Sequence, residues 1–489
     1  METAARTKMA SGVPGLDEVL HGGLIPERAY LVRGGPGTGK TIMGWNWLSE
    51  GVARGERALF ISLGETTEEL QANARQLGFA VEGVEILDLS PTPEFFTQVQ
   101  TYDIFAPAEV ERQPTTQEIT DAVERLLPQR VFADTMTQFR YLATDDFQFR
   151  KQVISFLRFL IERGCTVIFT SETSPTSPDD DLQFIADGVI NLEANHRGRF
   201  VRVSKYRGSD FATGPHAMLI GQGGLRVIPR LVPQAHQRAF VAEKIRSGIP
   251  ELDEMLHGGL ERGTITIISG PSGVGKTTVG LQFMKEAAGR GERSVVYTFD
   301  ENLQTMIARS EGVSIPARAM IERETLSIVQ VEPLVYTADE LADMVRREVE
   351  QRNARILMID STAGYRLSLR GEDPVSHLHA LCRYLGNMGV TTILVTEIES
   401  VTGEFRITDL QISYLADNVI FLRYLEVEGH LAKVIGVLKK RTSDFEKHLR
   451  ELEITPYGIK VGAPMTGLRG ILLGISQNAR DTGGGEGGG

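Results

Sequence analysis

The sequence predicts an α/β fold built twice: two tandem phosphate-loop domains, each a mostly parallel β-sheet flanked by helices. Three observations carry this. SGVPGLDEVLHGGL, starting at Ser11, returns as SGIPELDEMLHGGL at Ser247 with eleven of fourteen positions identical, which marks a duplication. Short β-branched or apolar runs alternate with longer helical patterns, as a parallel sheet with crossover helices requires. Each copy places a glycine-rich loop between such a run and a helical one, at 34–41 and 270–278.

The repeat sets the domain organisation. Its offset is 247 − 11 = 236, and the same shift carries Lys40 to Lys276 and Glu65 to Glu301. So long a period is a duplicated domain and not a solenoid, because each copy can bury its own core. Farther on the offset drifts, to 226 between Asp134 and Asp360 and 234 between Lys205 and Lys439, as loops of unequal length would make it. The expected layout is a first domain over 1–228, a linker of prolines and polar residues over 229–243, a second domain over 244–475 and a glycine-rich tail over 476–489 that can bury nothing and is expected to be disordered. In the second copy, strands are expected at TITIIS (264–269), SVVYTF (294–299), RILMID (355–360), TTILVTE (391–397) and NVIFLRYLE (418–426), with a helix at TADELADMVRREVEQ (337–351).

Composition bounds the function. With 489 residues, 41% of them hydrophobic and 24% charged, the chain has material for two ordinary cores. A formal net charge of −12 argues against coating of a polyanion, so nucleic acid is not an expected partner, although a local basic stripe could still bind it. Cys165 and Cys382 fall in different halves and build neither a disulfide framework nor a CxxC metal site. METAARTKMASG lacks the apolar stretch of a secretion signal, and no apolar run approaches the roughly 18–20 residues that span a bilayer, so the expected compartment is the cytoplasm.

GGPGTGKT and GPSGVGKTT both satisfy GxxxxGK[ST] in the strand–loop–helix setting the motif needs. Glycines let backbone N–H groups curl around a β-phosphate, the helix N-terminus adds its positive end, and lysine reaches the β- and γ-phosphates of ATP. The residues expected around the phosphates are Gly34, Gly37, Thr38, Gly39, Lys40, Thr41 and Ile42 in the first copy. In the second they are Gly270, Ser272, Gly273, Val274, Gly275, Lys276, Thr277 and Thr278. For Mg²⁺, the hydroxyls of Thr41 and Thr277 are joined by a strand-terminal aspartate from RVFADT and RILMIDST, Asp134 and Asp360. One such aspartate alone would also read as a helix N-cap; its recurrence downstream of both loops favours the metal. A carboxylate that handles the attacking nucleophile is expected at the end of the neighbouring strand, where LFISLGET gives Gly64 and Glu65 and VVYTFDEN gives Asp300 and Glu301.

These residues resemble the KaiC family of two-domain, RecA-like ATPases. The resemblance rests on the repeated LDE–LHGGL segments, the phosphate loops, the acidic positions after the next strand, and the basic strands SKYRG and LKKRTSDF; it runs from about Ser11 to Gly474. It implies a homo-hexamer of two stacked rings with ATP between subunits, slow hydrolysis, and in several members self-phosphorylation in the second ring. It makes the first carboxylate of each pair the general base, which falls on Gly64 and Asp300, so the first copy departs from the pattern and leaves Glu65 as its substitute. It also makes Lys205, Arg207, Lys439 and Arg441 cations that complete a neighbour's ATP site, with a solvated basic edge strand as the alternative. The phosphoacceptor positions fall on Ser413 and Tyr414, with Thr408 nearby, while the first copy offers Gln183 and Phe184.

The function expected is an ATP-hydrolysing signalling hexamer with a serine/threonine autokinase in its second domain, answering to an unidentified regulatory protein. A DNA-handling motor of the RecA kind is the alternative, with Arg140, Arg366 and Arg370 facing DNA, but the same loops carry Asp145, Asp146, Glu372 and Asp373. A nucleotide-gated scaffold with negligible turnover is a third. His377 and His379 diverge on their helix and are read as structural, His21 and His257 as part of the repeated packing, and Trp45 and Trp47 as core or interface residues.

Overall fold

The computed structural model describes residues 7–91, 107–141, 145–172, 179–196, 198–369, 373–398, 414–427 and 430–465, with two short stretches at 468–469 and 477–478. The chain divides into two compact units, 1–230 and 231–489. The first contains one nine-stranded sheet in the order β3-β2-β4-β5-β1-β6-β7-β8-β9. Its strands are β1 Ala29–Gly34, β2 Ala58–Ser62, β3 Val84–Asp88, β4 Arg130–Asp134, β5 Thr166–Glu172, β6 Gly188–Asn195, β7 Gly198–Tyr206, β8 His216–Gly221 and β9 Gly224–Ile228. β1 through β6 pair in parallel.

The second unit has a small antiparallel pair, β10 Lys244–Ile245 with β11 Leu260–Glu261. Its main sheet repeats the first one's order as β14-β13-β15-β16-β12-β17-β18-β19-β20. These are β12 Ile265–Gly270, β13 Arg293–Thr298, β14 Leu326–Gln330, β15 Ala354–Asp360, β16 Thr391–Glu397, β17 Asn418–Val427, β18 His430–Lys440, β19 Arg450–Thr455 and β20 Gly458–Pro464. The strands expected from sequence lie at these places, and the expected helix is Ala338–Glu350, held at its start by a capping box between Thr337 and Glu340.

The three-strand extension β7–β8–β9, and its counterpart β18–β19–β20, is antiparallel; the basic strands expected from sequence end β7 and β18, while the pairing and the two strands after each are additions of the structure. Only two residues separate β6 from β7 and β8 from β9, too few for the crossover that a parallel pairing needs. Each extension folds back beside its phosphate loop, with Ile220 and Leu225 against Gly39 in the first unit and Ile454 against Gly275 in the second.

In each unit two apolar clusters cover the faces of the sheet. Leu16, Trp47, Phe60 and Phe132 centre one in the first unit, and Val123, Val131, Phe149 and Leu157 the other. Trp45 and Trp47 are core residues, 2% and 0% exposed, and the Arg130 guanidinium stacks 4.0 Å from the Trp47 ring. The repeated opening segment is explained locally. Asp17 and Asp253 each accept the backbone N–H of Ser11 or Ser247 at 2.9 and 2.7 Å. His21 and His257 take positive φ (52° and 49°) just past a short helix, ahead of glycines that close the turn. The segment 233–235 of the expected linker packs beside the helix Pro374–Asn387, and Arg238 donates to Asn353 Oδ1 at 2.8 Å. No helix among the described residues is long and apolar enough to cross a membrane.

Candidate functional site

β1 and β12 end in the glycine loops, and the helices Lys40–Ala53 and Lys276–Gly289 begin at the lysines. Gly37, Gly39, Gly273 and Gly275 hold φ of 71°, 103°, 73° and 117°, a left-handed path that L side chains resist and that turns successive N–H groups inward. Thr38 Oγ1 ties the first loop by donating to Gly35 O at 2.8 Å, whereas Val274, at the same place in the second loop, anchors it in the core. Gly34 and Gly270 are packed against backbone oxygens, so a Cβ at either would clash at 2.4 and 2.5 Å. Ser272 and Gly273 are exposed at the tip, Thr278 is buried on the helix, and Ile42 packs against the first core.

Lys40 and Lys276 are 8% and 9% exposed, yet they bond only to loop carbonyls: Lys40 Nζ to Gly34 O and Gly35 O, both 3.0 Å, and Lys276 Nζ to Pro271 O at 2.8 Å. Burial lowers the pKa of both ammonium groups, and acids across the site (Asp134 and Glu172; Glu397 and Asp360) oppose that. A buried cation held by carbonyls under an inward-facing N–H cradle is built for a polyphosphate.

Beside each lysine stands a hydroxyl–carboxylate pair. Thr41 Oγ1 donates to Asp134 Oδ2 at 2.6 Å and Thr277 Oγ1 to Asp360 Oδ2 at 2.7 Å. Asp134 also accepts from Thr170. Among the described residues no cluster of three or more His, Cys, Asp or Glu forms a self-sufficient metal cage. A lone hydroxyl and carboxylate suit a hard cation that keeps several waters and takes its other ligands from phosphate, which is how Mg²⁺ binds. Burial raises the Asp360 pKa, opposed first by the Thr277 hydrogen bond.

The two copies differ at the next strand end. In the second, Ser361 Oγ donates to Asp300 Oδ2 at 3.0 Å, and Arg309 bridges to Glu301 at 2.8 Å. Burial raises the Glu301 pKa and Arg309 opposes it. In the first, Glu65 is raised by partial burial and then by Asp134 and Glu69. Gly64 carries no carboxylate, and a Cβ there would meet only Gln138 Nε2 at 3.8 Å, so sterics do not demand the glycine. The second site opens as a cavity of about 400 Å³ between Lys276, Thr277, Asp300, Glu301, Asp360 and Lys433.

Sequence reasoning missed Arg309, Ser361, Glu397 and Lys433, all lining that cavity. Ser361 follows Asp360 and was readable. Arg309 and Lys433 come from a helix and a sheet extension with no local motif, and Lys433 Nζ stands 3.5 Å from Gly273 O.

The basic strand residues lie elsewhere. Lys205 pairs with Val189, which pairs with Leu31, three residues short of Gly34 and so roughly 10 Å down the sheet from its own phosphate loop. Lys439 sits likewise, opposite Val419. Lys205 Nζ donates to Gln183 O at 2.8 Å, Lys439 Nζ to Ala416 O at 2.6 Å, Arg441 pairs with Asp417 at 3.0 Å and Arg207 with Asp187 at 3.7 Å. Tyr414 is 56% exposed with its ring edge-on to His379 at 5.7 Å, and Arg441 donates to its carbonyl at 3.4 Å. Ser413 and Thr408 lie outside the described residues, as do Arg370 and Glu372. Arg140 stands 3.8 Å from Asp146 and over the Phe149 ring.

A family model described as "ATPase: KaiC" matches residues 9–232 and again 245–466. The chain is similar to the circadian clock protein KaiC3 of Synechocystis sp. (strain ATCC 27184 / PCC 6803 / Kazusa), 28% identical over 97% of this chain and 95% of that one. It is also similar to the circadian clock oscillator protein KaiC of Synechococcus elongatus (strain ATCC 33912 / PCC 7942 / FACHB-805), 26% identical over 94% and 89%. The same-named protein of Prochlorococcus marinus (strain MIT 9313) is 25% identical over 97% and 96%.

Proposed function

This chain belongs to the KaiC family of ATPases, and from that premise we propose that it is a signalling ATPase that works as a homo-hexamer, with a serine autokinase in its second domain. The observation that carries the reading is positional. Each phosphate loop has its buried lysine and its threonine–aspartate pair, but the cations Lys205, Arg207, Lys439 and Arg441 stand toward the opposite end of the sheet from their own loop. A strand cannot bend back on itself, so only another subunit can bring those cations to an ATP γ-phosphate. That requirement favours a ring, where every subunit both gives and receives.

Lys40 and Lys276 hold the β- and γ-phosphates, and Thr41 with Asp134 and Thr277 with Asp360 would hold Mg²⁺. When bound, Mg²⁺ neutralises phosphate charge. In the second domain Asp300, oriented by Ser361, takes a proton from the attacking oxygen while Arg309 keeps Glu301 engaged. For water the outcome is hydrolysis. For Ser413 of an adjacent subunit, the Oγ–P bond forms, the bond from the γ-phosphorus to the bridging oxygen breaks, the proton goes to Asp300 and ADP leaves. Hydroxyls at 413 and 414 occur only in the copy that keeps both carboxylates, which supports this pairing. In the first domain Gly64 leaves the base position without a carboxylate, and Glu65 beside it is at most a weak substitute, so most turnover belongs to the second domain. The relatives' names speak of circadian timing; for this chain we extend that only to nucleotide-driven signalling to a regulatory partner, at work in the cytoplasm.

The test is light scattering with and without Mg²⁺-ATP, followed by intact-mass measurement of the assembled fraction. ATP-dependent hexamers that gain one phosphate support the reading. A monomer that turns over ATP at full rate independent of its concentration would refute it.

A further inference from the structure

A second cavity, also of about 400 Å³, opens in the second unit, lined by Glu292, Arg293, Arg323, Glu324, Arg352 and Arg355 with the backbone around Asn353. It is remote from the nucleotide: Arg355 stands near the start of β15 and Asp360 at its end, five residues and roughly 17 Å away. Neither the phosphate loop nor the carboxylates reach it.

Its charge balance is unusual for a chain of net charge −12. Glu292 is taken by Arg262 and Arg290, and Glu348 by Arg293 and Arg352. Arg323 and Arg355 make no hydrogen bond or ion pair through their side chains with the described residues. Arg238, at the same end, bonds Asn353 and a carbonyl instead of a carboxylate. Arg355 is partly buried and crowded by Arg262 and Arg238; burial first, then those two charges, lowers its pKa against the smaller opposing pull of Glu292 and Glu243, and an arriving anion would add to that pull.

The duplicated domain supplies an internal control. Sheet register sets β13 and β15 on β2 and β4, so Arg352 and Arg355 correspond to Leu126 and Gln129, and Asn353 to Leu127, whose positive φ of 49° matches the 56° of Asn353. Arg323 falls in the turn before β14, where the first copy reads Val81, Glu82 and Gly83. The fold therefore forms without these three arginines, and they were placed in the second copy alone.

We propose that this cavity is a second anion site, separate from both ATP sites, that binds a small phosphate-bearing molecule between Arg323 and Arg355. Guanidinium forks match phosphate oxygens two at a time, which a lysine pair would not do, and the cavity has room for a group of pyrophosphate size.

The test uses the full chain carrying Lys40→Ala and Lys276→Ala, which removes the phosphate-loop lysines, and measures pyrophosphate binding by equilibrium dialysis at low salt. One residual site per chain is expected, weakened at least about tenfold by Arg323→Gln or Arg355→Gln, with Arg323→Lys intermediate. Should the double variant fail to fold, the wild-type chain saturated with a non-hydrolysable ATP analogue is titrated instead, where one further pyrophosphate per chain is expected. Absence of that site, indifference to Arg323→Gln, which alters an exposed side chain, or equal displacement by citrate would each overturn the proposal; citrate would mark plain charge attraction instead of phosphate recognition.

Discussion

Gly64→Glu should speed hydrolysis in the first domain. The glycine has no positive φ, and a Cβ there touches nothing closer than Gln138 Nε2 at 3.8 Å, so the new side chain enters without strain. Replacing such a glycine stabilises a fold by about 0.4–1 kcal/mol through the unfolded chain, so loss of folded protein does not mask a gain in rate. A positioned general base contributes about 10²–10⁴-fold, which is roughly 2.7–5.4 kcal/mol of barrier at about 1.36 kcal/mol per tenfold. The expected gain is toward the lower end, because Glu65 already supplies a carboxylate next door. The assay is steady-state phosphate release in a Lys276→Ala background, which silences the second domain. Lys276→Ala alone should lose most turnover, and Lys40→Ala should mainly weaken ring assembly. The reasoning is refuted if Lys276→Ala retains turnover that Gly64→Glu leaves unchanged and Glu65→Gln abolishes, since Glu65 would then be a sufficient base.

Lys439→Ala and Arg441→Ala should each cut turnover at least about tenfold while a fluorescent ATP analogue still binds, since these groups act on the transition state from a neighbour. Mapped mass spectrometry after incubation with Mg²⁺-ATP should find phosphate on Ser413 alone, absent in Ser413→Ala and strongly reduced in Asp300→Asn; an unmodified mass from assembled hexamer would leave a plain ATPase. Asp360→Asn should end turnover yet raise the thermal midpoint of the nucleotide-free protein at pH 8. The sign follows from Asp360 being raised by burial: its folded pKa lies above the unfolded value of about 3.9, so stability falls as pH rises through that window and the neutral amide escapes the loss. Thermal melts of both proteins from pH 4 to 8 check it, the variant showing the flatter profile.

The sequence by itself determined the architecture and the phosphate chemistry, because both are local. GxxxxGK[ST] needs only its own glycines and helix N-terminus, and the run RILMID announces both a buried strand and the aspartate at its tip. Duplication strengthened each reading, since a chance motif rarely recurs with its neighbours in order. It also exposed the asymmetry of Gly64 against Asp300 without any coordinates. What only the tertiary structure decided depends on contacts between distant segments. Arg309 reaches Glu301 from one turn of a helix, Ser361 orients Asp300 across two strand ends, and Lys433 arrives on an antiparallel extension that no periodicity revealed. The placement of Lys205 and Lys439 toward the far end of the sheet is likewise a matter of register, since a hydrogen-bonded ladder fixes distance along a strand while composition does not. The arginine cavity belongs to the same class: its cations come from three turns separated in sequence and meet only because the parallel strands start side by side.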